Sequence, residues 1–266
     1  MKLAILYTSF RQFRELDYLP ELFRRSPQLS STANIIFHCN NGAINPDSLA
    51  EKLSTISCRN VELIYSSQKN QGGYPYGQFE AICDIWDKLA DKFDWVLHLH
   101  PDVFIIHEEP LLAALHEAEA DNADMLVTPT FGLKHPSFAT DFFAFRPANI
   151  PRSVFESYRH LDSTGIVVPL ENLFFIEVHR AHIKYSVAQR FAHGHYHRDI
   201  DLLGLWHEHD LRRMDLYLKH GWTRWIPTWL RCLCSPYRTA RFTVNWFTRK
   251  LKGVAQDSLA KQLTAL

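Results

Sequence analysis

Trp95-Val96-Leu97-His98-Leu99-His100-Pro101-Asp102-Val103-Phe104-Ile105-Ile106 decides the fold, because it reads as a buried strand that ends in a set of oxygen and nitrogen ligands. Apolar residues at Val96, Leu97 and Leu99, and again from Val103 to Ile106, are too continuous for a surface loop, yet His98, His100 and Asp102 interrupt them with period two. That period places all three on one face. In open α/β sheets ligands bind beyond the carboxyl ends of the strands, so an aspartate beside a proline at that edge is placed for a hard cation and phosphate oxygens. The alternative reading is a strand end with a capping aspartate and two hydrogen-bonded histidines.

Working outward, strands and helices alternate. Lys2 to Thr8 reads as a strand, Phe13 to Arg25 as a polar amphipathic segment, and Ala33 to Cys39 as a second strand closed by the turn Asn40-Asn41-Gly42. Asp47 is expected to cap a helix from Ser48 to Thr55, Val61 to Tyr65 is a third strand, and Gly77 to Phe93 carries Phe79, Ile82, Ile85, Trp86 and Leu89 at helical spacing. A helix from Glu109 to Ala120 and strands at Met125 to Thr130 and Thr140 to Arg146 follow the Asp102 segment. This order predicts an α/β, Rossmann-like fold: a mostly parallel, doubly wound central sheet flanked by helices. A chain of 266 residues with 46% hydrophobic content suits one large α/β domain, or such a core with a C-terminal addition.

Charge and cysteine usage exclude several classes. Lys+Arg 29 against Asp+Glu 29 gives no uniform basic surface, so no nucleic-acid partner is expected. The five cysteines, Cys39, Cys58, Cys83, Cys232 and Cys234, are odd in number and scattered, as reduced residues of a cytoplasmic protein would be. Met1 to Tyr7 reads as a strand rather than a signal peptide, and no stretch is apolar enough to span a bilayer. The end of the chain differs in kind. Trp222, Trp225, Trp229 and Trp246 are interleaved with arginines and lysines, and no Asp or Glu occurs from Leu216 to Gln256. That composition suits either an anionic membrane surface met through residues 216–256 or a helical subdomain packing its tryptophans on the core. The expected organisation is a catalytic domain over 1–210 and a basic, Trp-rich helical extension over 211–266, in the cytoplasm or peripheral on the inner face of the membrane.

Four further segments carry chemistry. The loop from Gln68 to Gly77 holds Lys69, Asn70 and Gly73 before a helix, a setting for a diphosphate, although it matches neither dinucleotide-binding nor P-loop spacing. Asp141 lies in an aromatic strand, where an ionised carboxylate needs a partner, either Arg146 or a sugar hydroxyl. Glu171 and Asn172 open a helix, where an acid is favoured by the helix dipole and is equally placed for catalysis. His193, His195 and His197 lack the thiolates and helical spacing of a zinc hydrolase, whereas His207 is suited to complete the coordination of a divalent ion at Asp102 or to bond a phosphate.

Taken in order, these parts resemble the GT-A glycosyltransferases over about residues 1 to 210, in a rhamnosyltransferase-like variant. The resemblance implies a nucleotide-diphospho-sugar donor, a glycan or lipid-linked acceptor, and transfer of a hexosyl or deoxyhexosyl group in glycan, lipopolysaccharide or other cell-surface polysaccharide assembly. The family's Asp-x-Asp motif, which holds Mn²⁺ or Mg²⁺ against the diphosphate, matches His100-Pro101-Asp102, with His100 in place of the first acid. Its late metal-binding histidine maps to His207, with His209 as the rival, and its acceptor-side acid to Glu171 or Asp141. The implied mechanism is stabilisation of the departing diphosphate by a metal at Asp102 with His207 and the Lys69 loop, and deprotonation of the acceptor by Glu171 or Asp141 if the reaction inverts. Two other classes stay open. A sugar nucleotidyltransferase would usually carry glycine in the loop after the first strand, which Thr8-Ser9-Phe10-Arg11-Gln12 lacks, and a non-catalytic glycan-binding or membrane-tethering protein would need no metal.

Overall fold

The computed structural model of the chain describes residues 1–9, 13–41, 44–65, 76–130, 136–159, 168–188, 190 and 200–220. Its strands are β1 (Leu3–Ser9), β2 (Asn34–Cys39), β3 (Asn60–Tyr65), β4 (Trp95–Leu99), β5 (Val103–Ile105), β6 (Met125–Val127), β7 (Phe142–Phe145), β8 (Tyr185–Val187) and β9 (Leu205–His207). Seven of them form one sheet in the order β3-β2-β1-β4-β7-β6-β8. β7 runs antiparallel to both its neighbours, and the remaining pairings are parallel, so the sheet is mostly parallel as expected.

Burial on both faces explains why the strands read as unbroken apolar runs. Along β1, Leu3, Ile5 and Tyr7 enter one core with Ile35, Phe37, Trp95, Leu97 and Leu99. Ala4 and Leu6 enter the other with Ile36, Val96, Phe143 and Phe145. The first core is covered by α1 (Leu19–Arg24), α2 (Pro27–Thr32), α3 (Pro46–Ser54) and α6 (Glu108–Ala120). The second is covered by α4 (Gly77–Asp84), α5 (Trp86–Ala90), α7 (Ser153–Glu156) and α8 (Leu170–Arg180). A further helix, α9 (Leu211–His220), adds Met214 and Tyr217 to the first core, and Tyr18 donates to its Asp215 at 2.9 Å.

Several boundaries differ from the sequence reading, each for a local reason. Asn45, not Asp47, caps α3: its side chain accepts from Asp47 N at 2.9 Å, and Pro46 takes the first helical position, where its missing N–H costs nothing. The helix expected from Gly77 to Phe93 is interrupted at Ile85 (φ −111°, ψ 10°), and Trp86 beyond the break stacks on Phe145 at 6.0 Å and 7°. The Phe13 to Arg25 segment becomes a 3₁₀ turn at Glu15–Tyr18 followed by α1. Most consequential, the run from Trp95 to Ile106 is two strands. The chain turns at His100-Pro101-Asp102, and β5 leaves the main sheet to pair antiparallel with β9.

Candidate functional site

The site grows from that turn. Strand order 3-2-1-4 places the topological switch between β1 and β4, and the Asp102 turn follows the carboxyl end of β4 there. His100 N donates to Asp141 O at 3.1 Å, Val103 N donates to His100 O at 3.0 Å, and Asp102 is 2% exposed. The β5–β9 register sets Val103 opposite His207, and Glu208 N donates to Asp102 O at 3.0 Å, which fixes the ribbon beside the turn. Asp102 Oδ2 consequently stands 3.4 Å from His207 Nε2 and 2.9 Å from His209 Nδ1, and one ligand atom from each residue lies within 4.8 Å of the others. His207 is buried and His209 exposed, so the group is open on one side.

A second set of charges lies behind His207. Its Nδ1 is 3.1 Å from Asp141 Oδ2, and that same oxygen accepts from Arg190 Nη1 at 2.9 Å. Arg190, fully buried, also donates from Nε to Asp201 Oδ2 at 2.7 Å. Asp201 Oδ1 in turn accepts from Leu203 N and Leu205 N, each at 2.9 Å, which closes the turn that launches β9. Gly204 sits in that turn at φ +74°, and its carbonyl accepts from Ile106 N at 2.8 Å and His107 N at 3.1 Å.

Burial and pairing set the charges. For Asp102, burial opposes ionisation, but the bond from His207, with His100 and His209 nearby, outweighs it and holds the carboxyl below its usual range. Asp141 is likewise opposed by burial and held well below the ordinary value by Arg190 and His207. For His207 burial disfavours the cation, yet bonds to Asp102 and Asp141 push it up to about 9. His98 goes the other way. Burial, aided by His100, lowers it well below the usual histidine value, its Nε2 shares a 2.9 Å hydrogen bond with Thr8 Oγ1, and its ring stacks on Phe143 at 4.6 Å. It is a neutral core histidine.

Of the residues singled out from sequence, the structure brings Asp102, His207 and His209 together and sets Asp141 behind them. Asp141, just before β7, is partnered by Arg190 and His207 and not by Arg146. His100 adjoins the group, its Nε2 buried and burial lowering its pKa, but it is not one of the three clustered ligands. Glu171 is in the first turn of α8, half-buried and close enough for its charge to act on His100. Lys69, Asn70 and Gly73 lie outside the described residues, as do His193, His195 and His197. Sequence reasoning missed Arg190 and gave Asp201 no role, since a lone arginine beside a histidine-rich stretch carries no spacing signal. It also missed Arg14, Glu15 and Arg212, which with His209 line a cavity of about 420 Å³ next to the cluster.

No protein-family model and no curated protein matches the chain. Among solved structures, galactosyltransferase LgtC in complex with donor and acceptor sugar analogs matches over 70% of this chain and 73% of its own, with TM-score 0.50 and 10% identity. The fold is GT-A. Glycosyltransferase GlyE of Streptococcus pneumoniae TIGR4 matches over 71% of this chain and 45% of its own, with TM-score 0.47 and 12% identity. The 4-diphosphocytidyl-2C-methyl-D-erythritol synthase of Anaerococcus prevotii DSM 20548 does so over 70% and 86%, at 0.44 and 13%. On this GT-A sheet the Asp102 cluster follows the central β4, at the crevice where an open α/β fold receives its ligand.

Proposed function

We propose that the chain is a glycosyltransferase that moves a hexosyl or deoxyhexosyl group from a nucleotide-diphospho-sugar to a hydroxyl of a glycan or lipid-linked acceptor, in cell-surface polysaccharide assembly. The observation that carries this reading is the convergence of Asp102, His207 and His209 within 4.8 Å at the switch point of a GT-A sheet. One carboxylate and two imidazoles make a mixed donor set that fits a divalent transition ion such as Mn²⁺ better than Mg²⁺, which favours oxygen ligands throughout. When bound, such an ion would neutralise the charge that develops on the departing diphosphate.

The chain's own residues supply the rest. The cavity beside His209 is of a size for a nucleotide-scale ligand, and Arg14 on its wall is a cation for phosphate oxygens, while Arg212 there is paired with Asp210. The Lys69-Asn70-Gly73 loop is assigned to the donor as well. Glu171 is the proposed base for an inverting transfer, since Asp141 is committed to Arg190 and its depressed pKa makes it a poor proton acceptor. Residues 1–210 are assigned to catalysis, and 211–266 to an extension whose basic, Trp-rich stretch over 216–256 meets an anionic membrane surface on the cytoplasmic side.

Calorimetric titration of nucleoside diphosphates, with and without Mn²⁺, tests the reading. One nucleotide should bind more tightly with Mn²⁺ in the wild type, and the enhancement should vanish in Asp102→Asn while the fold, followed by circular dichroism, is kept. Mn²⁺-independent binding to both proteins removes the metal site, and absence of nucleotide binding favours a glycan-binding module.

A further inference from the structure

His207 has two ring nitrogens, and the structure gives each a different neighbour. Nε2 faces Asp102 at 3.4 Å, and Nδ1 faces Asp141 at 3.1 Å. A histidine that ligates a metal binds through one nitrogen and keeps a proton on the other, and a carboxylate beside that proton selects the tautomer, orients the ring and raises its basicity. Asp141 Oδ2 lies at ion-pair distance from Nδ1, near enough to act as such a carboxylate. Because Asp141 immediately precedes β7 of the main sheet and His207 lies on β9 of the two-stranded ribbon, the contact is not a by-product of strand pairing.

Arg190 makes Asp141 an anchored group rather than a mobile one. Its guanidinium is fully buried and joins two carboxylates, Asp141 at 2.9 Å and Asp201 at 2.7 Å, while stacking over the Phe142 ring at 5.3 Å. Asp201 shapes the turn before β9 through Leu203 N and Leu205 N. A continuous polar chain therefore runs from the turn that places His207 to the carboxylate against its ring.

We infer that Asp141 is a positioning residue for the metal site, fixing the Nδ1–H tautomer of His207 so that Nε2 is presented beside Asp102, with Arg190 and Asp201 as its support. The inference rests on the metal reading given under the proposed function and assigns Asp141 neither to the acceptor nor to the ion directly.

Two measurements test it on the full chain. In the first, Mn²⁺ alone is titrated into wild type, Asp141→Asn, Asp102→Asn and His207→Ala, with free ion followed by electron paramagnetic resonance. Asp141→Asn should weaken Mn²⁺ binding by about 10- to 100-fold with its metal-free circular dichroism unchanged. In the second, ¹⁵N-histidine-labelled wild type loaded with diamagnetic Zn²⁺ is read by long-range ¹H–¹⁵N correlation, with His207 assigned by its loss in His207→Ala. The ring should coordinate through Nε2 and carry its proton on Nδ1. In Asp141→Asn the two tautomers should mix, a change that lost packing alone would not produce. Should Asp141→Asn fail to fold, the wild-type spectrum still decides, because coordination through Nδ1 overturns the inference. Binding that requires His207 but is indifferent to Asp141→Asn also overturns it while leaving the metal reading intact. No uptake of either ion by the wild type overturns both.

Discussion

His98, His100 and Asp102 share a sequence period but not a role, and their surroundings make the difference. His98 is held neutral by burial, a threonine hydroxyl and an aromatic face, which is the bland alternative that the sequence had left open. Asp102, four residues on, is held ionised by histidines that arrive from a distant strand. The pairing has a pH signature in the metal-free chain. His207 is raised from 6.5 to about 9, so its contribution is complete below pH 6.5 and is lost as pH rises through about 9. Asp102 and Asp141 are lowered from 3.8, so theirs is complete above that value and is lost as pH falls through their folded-state values. The two limbs are one set of contacts seen from its two ends. Thermal melts of metal-free protein should show stability falling from pH 6.5 toward 9, and His207→Ala should flatten that slope; an equal slope in both would place the titrating group elsewhere.

At the scale of elements, the ribbon of β5 and β9 does what neither strand signals alone. Val103 to Ile105 read as a continuation of the preceding strand, and only pairing with Leu205 to His207, about a hundred residues later, takes it out of the main sheet and delivers His207 to Asp102. The ribbon depends on one glycine. Gly204 has φ +74°, and a Cβ there would lie 2.2 Å from the His107 carbonyl oxygen, a backbone atom that cannot step aside. Gly204→Ala should therefore destabilise the fold by at least about 2 kcal/mol and weaken Mn²⁺ binding in whatever folded protein remains. Urea unfolding and Mn²⁺ titration check this, and a variant with wild-type values in both would show that the ribbon is not held by this close approach. The interruption at Ile85 was equally illegible, since Phe79, Ile82, Trp86 and Leu89 keep helical spacing across it and only the stacking of Trp86 on Phe145 accompanies the change of direction.

For the whole molecule, the two cores account for the thiols. Cys39 and Cys83 are buried and Cys58 half-buried, and burial raises all three, Cys83 to about 12. At neutral pH a thiol-specific reagent should leave Cys39 and Cys83 unmodified until denaturant is added; reaction of either beforehand would mean that the cores open readily. The membrane proposal is checked at the same scale. The 266-residue chain should sediment with anionic vesicles and not with neutral ones, and equal partition would discard it. The mostly parallel α/β sheet and the existence of its main strands were legible because apolar period and run length are properties of neighbouring residues. So was the placing of Asp102 at a strand end. The reversal of β7, the departure of β5 from the sheet and the alliance of Asp141 with Arg190 were not, because each depends on groups far apart along the chain whose meeting no local pattern records. Sequence alone thus determined what kind of sheet this chain builds and which aspartate stands at its edge. Tertiary structure alone decided that both His207 and His209 gather at that aspartate and that Arg190 and Asp201 stand behind Asp141, since charge pairing acts through space and not along the backbone.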